Sequence, residues 1–243
     1  MQRSVFAFTA LAAAVVGLST SAADAQVRIT EFMSEGQGDL LSGNGGRRQR
    51  EFFEITNLGA VSVDVSGWSY NDNNTNDPIN WGPSVGTIGA GESIVFTQMS
   101  AADFRSYWGL DNSVRVFTYG QLSNLGNADT INIYNSFTQN ASTLVDTLDY
   151  LADARGSGVS RNRPYGGTDQ SLNGAWVISA AGDSFQSWLA PSPTGFPPNF
   201  PTPGAPYNAA DYIDLANPGR YVPTPGAACM LGLAGLAATR RRR

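Results

Sequence analysis

Side-chain oxygens are densest in one Asn- and Asp-rich loop, and their spacing is the first sign of possible metal chemistry. Asp72, Asn74 and Asn76 alternate with other residues, as the first ligands of a calcium-binding loop do, and Asp77 adds a carboxylate. Such a loop needs glycine at its sixth position and a bidentate glutamate at its twelfth, whereas this chain has Asp77 and Pro83 there. A turn stabilised by Asn and Asp side chains is therefore favoured, and calcium binding is the weaker alternative.

Two further groups of acids could support general acid–base catalysis. Glu51 and Glu54 lie three apart on a predicted strand, so their side chains face opposite sides unless a bulge intervenes. Asp146, Asp149 and Asp153 would line one face of a helix, but the alternation of their segment favours a strand with these acids exposed at an edge. A calcium- or carboxylate-dependent hydrolase that uses Asp72, Asp77 or the group of Asp146, Asp149 and Asp153 is the alternative function, and we expect no catalytic activity.

Composition excludes several catalytic classes. The chain of 243 residues has no His and a single Cys, Cys229, so zinc sites of His and Cys, Ser-His-Asp triads and intramolecular disulfides are excluded. All fifteen basic residues are Arg, and the formal net charge is −5. An acidic protein does not suit phosphate binding, so we expect no nucleic-acid partner.

The N-terminal segment, residues 1–25, is typical of a secretory signal peptide. Arg3 provides the positive start, residues 5–18 are apolar, and Ala23 and Ala25 flank Asp24 in a small-x-small cleavage motif. We expect signal peptidase to release a mature chain that begins at Gln26.

The opposite end, residues 222–243, combines a proline pair, an apolar segment and a terminal arginine run. These features are Pro223, Thr224, Pro225, residues 227–238, Arg240 and Arg241 with two further arginines. A helix over residues 227–238 would span about 18 Å, short of a hydrocarbon core of ~30 Å. The segment resembles the PEP-CTERM sorting tail of Gram-negative bacteria, which implies transient membrane insertion and cleavage by an exosortase. A permanent membrane anchor is the competing interpretation.

Alternating apolar residues predict short β-strands over most of the remaining chain. Val27–Met33 is predicted as the first strand, with Val27, Ile29 and Met33 facing inward. The strongest pattern lies in residues 51–72, where an acidic-aromatic strand, an Asn-x-Gly turn and a valine ladder follow one another. Further strands are predicted at residues 87–97, 114–119, 130–134 and 144–150.

One short helix interrupts the strands. Ser100 and Asp103 form a Ser-x-x-Asp capping box, and Gly109 ends the helix. Its aromatic residues lie on one side, and we expect it to form a lid on one end of the domain. They are Phe104, Tyr107 and Trp108.

A Pro-, Phe- and Trp-rich insert at residues 182–206 includes Trp188. Such a segment either binds a partner or covers a sheet, and the sequence leaves both open. Residues 209–221 are predicted to be a linker to the tail.

The order of the motifs resembles the lamin tail domain, an immunoglobulin-like β-sandwich. The resemblance rests on Ile29-Thr30-Glu31, the Asn57-x-Gly59 turn after Glu54, Gly91-x-Ser93-x-Val95, Ser160-Arg161, Trp176, and Thr202-Pro203-Gly204 with Asn208. It implies an all-β sandwich with one short helix over residues 26–208, and a structural role for Glu54. With the two termini, it implies an exported, non-catalytic binding or structural module at the outer surface or in the extracellular matrix of a Gram-negative-type bacterium. Extracellular polysaccharide or a surface protein is the expected partner.

Overall fold

The computed structural model describes residues 27–36, 50–72, 78–119, 125, 128–150, 158–164, 176–191 and 214–222. The predicted signal peptide, the sorting tail and the centre of the Asn- and Asp-rich loop lie outside these residues.

Short strands and one helix make up the described part of the chain. In order they are β1 (Val27–Met33), β2 (Phe52–Asn57), β3 (Val63–Asp64), β4 (Ser69–Asn71), β5 (Ile79–Asn80), β6 (Thr87–Ile88), β7 (Ser93–Thr97), α1 (Ala101–Trp108), β8 (Arg115–Thr118), β9 (Asp129–Tyr134), β10 (Leu144–Tyr150), β11 (Arg161–Asn162), β12 (Val177–Ile178), β13 (Trp188–Leu189) and β14 (Leu215–Ala216).

Two sheets form the body of the domain. The larger has the order β12-β11-β1-β2-β7-β8, and the smaller has the order β10-β9-β4-β5. The strands pair antiparallel except β7 and β8, which are parallel and are joined through α1. A parallel pair needs such a crossover, which places the helix on a face of the sheet. The predicted mostly-β class with one short helix is confirmed, and the two layers are consistent with an immunoglobulin-like sandwich.

The first hydrophobic cluster lies between the two sheets. The larger sheet contributes Phe53 and Phe96, whose rings stack with centroids 5.1 Å apart. The smaller sheet contributes Tyr70, Ile133 and Leu148 among others. Because both sheets bury one face here, this cluster holds the two layers together.

A second cluster covers the opposite, outer face of the larger sheet. Phe52 of β2 contacts Phe104 and Trp108 of α1, with ring centroids 5.5 and 6.1 Å apart. The helix has the predicted limits: Ser100 Oγ accepts a hydrogen bond from the Asp103 amide at 3.1 Å, and Gly109 adopts a left-handed φ of 65°. Its expected position at one end of the sandwich is wrong, because the β7–α1–β8 crossover lays it across the outer face.

A bulge in β1 changes which residues face the core. Ile29 pairs with Ile55, but the next pair is Glu31 with Glu54, so Thr30 is the extra residue. Beyond it the alternation reverses. Met33, expected on the face of Ile29, therefore lies in the second cluster, on the outer face of the sheet.

The C-terminal end of the described chain packs against the domain. We call residues 214–220, within the predicted linker, the C-terminal strap. Its strand β14 pairs with β13, and Ala216 is buried in the second cluster. Within the residues that the structure describes, no helix has the length and apolar character needed to cross a membrane.

Candidate functional site

The strap begins at a buried ion pair. Asp214 Oδ2 accepts hydrogen bonds from Arg50 Nη1 at 3.0 Å and from the Tyr107 hydroxyl at 2.8 Å. Arg50 also donates to the Tyr107 oxygen at 3.0 Å. One end of the strap is thus tied to α1 and to the start of β2.

The middle of the strap covers two carboxylates. Glu31 and Glu54 face each other across β1 and β2, and both are 0% exposed. Glu54 Oε2 accepts from the Gly219 amide at 2.7 Å, and Glu31 Oε1 accepts from the Asn217 amide at 2.9 Å. Two backbone N–H groups of the strap therefore bind the pair directly.

Hydroxyl groups complete most of the environment of the pair. Glu54 Oε1 accepts from Thr30 Oγ1 at 2.6 Å and from Thr56 Oγ1 at 3.2 Å. Glu31 Oε1 accepts from Ser160 Oγ at 2.5 Å, whereas Glu31 Oε2 has no hydrogen-bond partner. A charged carboxylate oxygen that is buried without a donor is costly, so the neutral, protonated carboxyl group is favoured at Glu31.

Burial dominates the titration of both acids. Desolvation, with the charge of Glu54 next, raises the pKa of Glu31 well above its ordinary value. Desolvation also raises the pKa of Glu54 to about 7, against the lowering effect of its hydrogen bonds. At neutral pH the pair therefore does not carry two full negative charges.

An open cleft of about 600 Å³ lies where the strap meets the end of α1. We call it the tryptophan cleft. It is lined by Trp108, Gly109, Leu110, Asp111, Ser113, Val114, Trp188, Pro191, Pro218, Gly219 and Arg220. The strap therefore forms one wall, and the turn after α1 forms the other.

Trp188 is the half-buried aromatic residue of this cleft. Its indole N–H donates to the Trp108 carbonyl at 3.2 Å, and the two rings meet edge to face with centroids 6.3 Å apart. This contact fixes the orientation of the Trp188 ring. An aromatic ring held in this way is suited to stacking against a flat apolar ligand surface.

Polar groups stand beside this ring. Arg220 is exposed, and its guanidinium makes a long hydrogen bond of 3.4 Å to Gln186. Asp111 accepts from the amide and the hydroxyl of Ser113, and these bonds lower the pKa of Asp111. The cleft thus joins an aromatic surface to a cation, an anion and a hydroxyl within one concave site.

Sequence comparison assigns the family. A model of the lamin tail domain matches residues 20–152, more than half of the chain. The chain belongs to the lamin tail domain family. A search of curated proteins finds no significant match. Among solved structures, a DUF4876 family protein from Bacteroides thetaiotaomicron is similar at 11% identity and a TM-score of 0.38, covering 65% of this chain and 68% of that one.

The predicted calcium loop of this lamin tail domain is described only at its edge. Asp72 is buried, whereas Asn74, Asn76 and Asp77 lie outside the described residues. Across the described ranges, no group of three or more acidic, His or Cys side chains is placed to hold a metal ion.

The other predicted acids are dispersed. Glu51 accepts from the Leu125 amide on the inter-sheet side, opposite Glu54, and Asp149 is exposed. Asp146, expected at an exposed edge, is buried and pairs with Arg163 at 2.7 Å. That expectation is wrong because Asp146 shares the inward face of Leu148. Asp153 lies outside the described residues.

Sequence reasoning missed the partner of Glu54 and the composition of the cleft. Glu31 was noted as part of a family motif, but only the bulge brings it opposite Glu54. Trp188 belongs to the aromatic insert that was a candidate for partner binding. Arg220 carried no signal, because its segment resembles a linker in composition.

Proposed function

We propose that this protein is an exported, non-catalytic binding module of the bacterial cell surface or extracellular matrix, and that it binds extracellular polysaccharide in the tryptophan cleft. The observation that carries this proposal is the combination of the oriented Trp188 ring with Arg220, Asp111 and Ser113 in one open site. Sugar rings offer an apolar face for stacking and hydroxyl groups for hydrogen bonds, and the cleft provides groups for both.

The placement of the paired carboxylates supports binding over hydrolysis. A glycosidase needs two acids that face a substrate across a cleft. Glu31 and Glu54 instead lie beneath the strap with no exposed surface, and their oxygens accept from the protein's own amides and hydroxyls. Lamin tail domains are also generally non-catalytic.

The route to the cell surface rests on the two ends of the sequence. We propose that signal peptidase cleaves after Ala25 and that an exosortase-type enzyme processes the tail of residues 222–243. Intact-mass measurement of the protein recovered from the cell envelope tests both steps. A measured mass that corresponds to a chain still beginning at Met1 would contradict the first cleavage, and one that corresponds to a chain still ending at Arg243 would contradict the second.

Binding is tested by calorimetric titration of the purified protein with matrix polysaccharide fractions and by glycan arrays. We expect Trp188→Ala to weaken binding by about five- to thirtyfold, since a stacked aromatic contributes on the order of 1–2 kcal/mol. Phe137→Ala is the matched control, because Phe137 is 51% exposed on a turn before β10 and does not line the cleft. Equal affinities of the two variants would contradict the proposed site.

A further inference from the structure

The strap forms a wall of the cleft and also covers the buried acids, so a single segment links the two. Gly219 illustrates this directly: its amide donates to Glu54 Oε2 at 2.7 Å, and the same residue lines the cleft beside Pro218 and Arg220. Any movement of the strap away from Glu54 would therefore change the shape of the cleft.

We propose that a proton on the carboxyl group of Glu31, beside Glu54, keeps residues 217–220 of the strap closed, so that ionisation of both acids opens the strap and dismantles the tryptophan cleft. The inference rests on the proposed function only in what the cleft binds. The opening itself is a property of the unliganded protein.

The geometry of the pair requires a proton. The two residues are direct cross-strand partners at 0% exposure, and like charges in such positions repel. Glu31 Oε2 has no hydrogen-bond partner. A proton on this atom would therefore break none of the existing hydrogen bonds. Adding the proton there leaves the bonds of Oε1 to Ser160 and Asn217 in place.

Within the part of the chain that the structure describes, every hydrogen bond to the two acids comes from a neutral group. Neutral groups face it from β1, β2, β7, the segment before β11 and the strap: Thr30, Thr56, Ser93, Ser160, Asn217 and Gly219. The turn before β13 adds Asp183, whose negative charge disfavours ionisation of Glu31 further. Desolvation is the main reason that the pKa of both acids is raised.

The strap is the part of this enclosure that can yield. The floor consists of β1, β2 and β7, which are joined by continuous ladders of backbone hydrogen bonds. Residues 214–216 of the strap are held by the pairing of β14 with β13 and by backbone hydrogen bonds of Leu215 to Gly158 and Ser160. Residues 217–220 are held mainly by their bonds to the acids and by a long bond of 3.4 Å from Ser187 to Asn217. When both acids are ionised, water can reach them at least cost through displacement of residues 217–220, while Asp214 stays tied to Arg50 as the hinge.

Hydrogen–deuterium exchange of the unliganded full-length protein tests the switch. After correction for the intrinsic rate, we expect exchange of residues 217–220 to become at least about tenfold faster between roughly pH 6 and pH 9, while β9 in the smaller sheet stays protected. Glu31→Gln removes the charge and keeps a donor at the Oε2 position, so its strap should stay protected throughout. Asp149→Asn, an exposed acid on β10, is the matched control and should behave like the wild type.

A wild-type strap whose protection is the same at both pH values overturns the proposal, as does a Glu31→Gln strap that still opens. If Glu31→Gln does not fold, Glu54→Gln removes the other charge of the pair and should likewise keep the strap closed, because a Gln carbonyl can still accept from Gly219. None of these readouts uses a ligand. Exchange of the strap that does not change with pH would therefore refute the switch but not saccharide binding. Absence of saccharide binding by the wild-type protein at every pH would refute only the proposed binding function.

Discussion

Glu31 and Glu54 are direct cross-strand partners in β1 and β2, and neither side chain has any exposed surface. Their alignment depends on the bulge at Thr30. Without the extra residue, Glu31 would continue on the face of Ile29 and enter the core between the sheets. The bulge turns Phe32 into that core and sends Glu31 to the outer face beside Glu54, where amides of the strap bind both carboxylates.

The first prediction concerns stability as a function of pH. The unfolded chain ionises its Glu residues near pH 4.5, whereas the pKa of Glu54 in the native protein is about 7. The native state therefore binds more protons in this interval, and the free energy of unfolding falls as pH rises from 4.5 through about 7. In the Glu54→Gln variant, the free energy of unfolding should fall less over this pH range, with a difference from the wild type on the order of 3 kcal/mol.

Urea denaturation at roughly pH 5 and pH 8.5 measures this difference. Asp149→Asn removes an exposed acid and serves as control, with the same slope as the wild type. If Glu54→Gln loses as much stability as the wild type over this range, the buried pair does not control the pH dependence.

The bulge shows which features the sequence could predict. The limits of α1 follow from local chemistry, since the Ser100 side chain and the left-handed Gly109 act on their own turns. The strands follow from local alternation in the same way. A bulge depends on the partner strand, so the inward residues of β1 were predicted correctly only as far as Ile29.

The second prediction concerns the buried ion pair that anchors the strap. Asp214→Asn replaces the buried negative charge by a neutral amide, while the charge of Arg50 stays buried. We therefore expect the free energy of unfolding to fall by about 3–5 kcal/mol. Glu92→Gln is the matched control, because its pair with Arg115 is also close, at 2.9 Å, but is partly exposed. That substitution should cost less than about 1 kcal/mol. Equal costs would show that burial does not determine the strength of these pairs.

The third prediction concerns the two acids of β10. Asp146 accepts from the Ile29 amide at 2.8 Å and from Arg163, so it links the edge of the smaller sheet to β1. Asp146→Ala should therefore cost about 3–5 kcal/mol, because the Arg163 charge stays buried. Asp149→Ala, on the exposed face of the same strand, should stay within about 0.5 kcal/mol. Chemical denaturation of both variants measures the difference, and similar values would place Asp146 at an exposed edge after all.

The sequence did not predict the burial of Asp146 or the fixed position of the strap, because both depend on residues distant in sequence. Acidity predicts exposure unless a partner is available, and Arg163 reaches Asp146 from a separate segment. The small and polar residues of the strap resemble a linker in composition. Contacts with residues distant in sequence, among them the side chains of Glu31, Glu54 and Arg50, give this segment its fixed position.

The fourth prediction concerns the close approach of Gly219 in the strap to Val114. Gly219 has a φ of 78°, and a Cβ added there would lie 2.4 Å from Val114 Cγ1. Gly91 has a similar φ of 74° with open space around it, so it is the matched control. Gly91→Ala should cost only the backbone strain, about 1–2 kcal/mol. Gly219→Ala should cost a further 1–3 kcal/mol or so, because the strap must move away from Val114 and lose its hydrogen bond to Glu54.

A double variant separates the two contributions to the cost at Gly219. Val114→Ala makes room for the new methyl group, so in that background Gly219→Ala should cost about as much as Gly91→Ala does in the wild type. Urea denaturation of the four variants gives the values, and exchange of residues 217–220 shows whether the strap has moved. If the excess cost persists without the Val114 methyl groups, the contact with Val114 does not hold the strap in place.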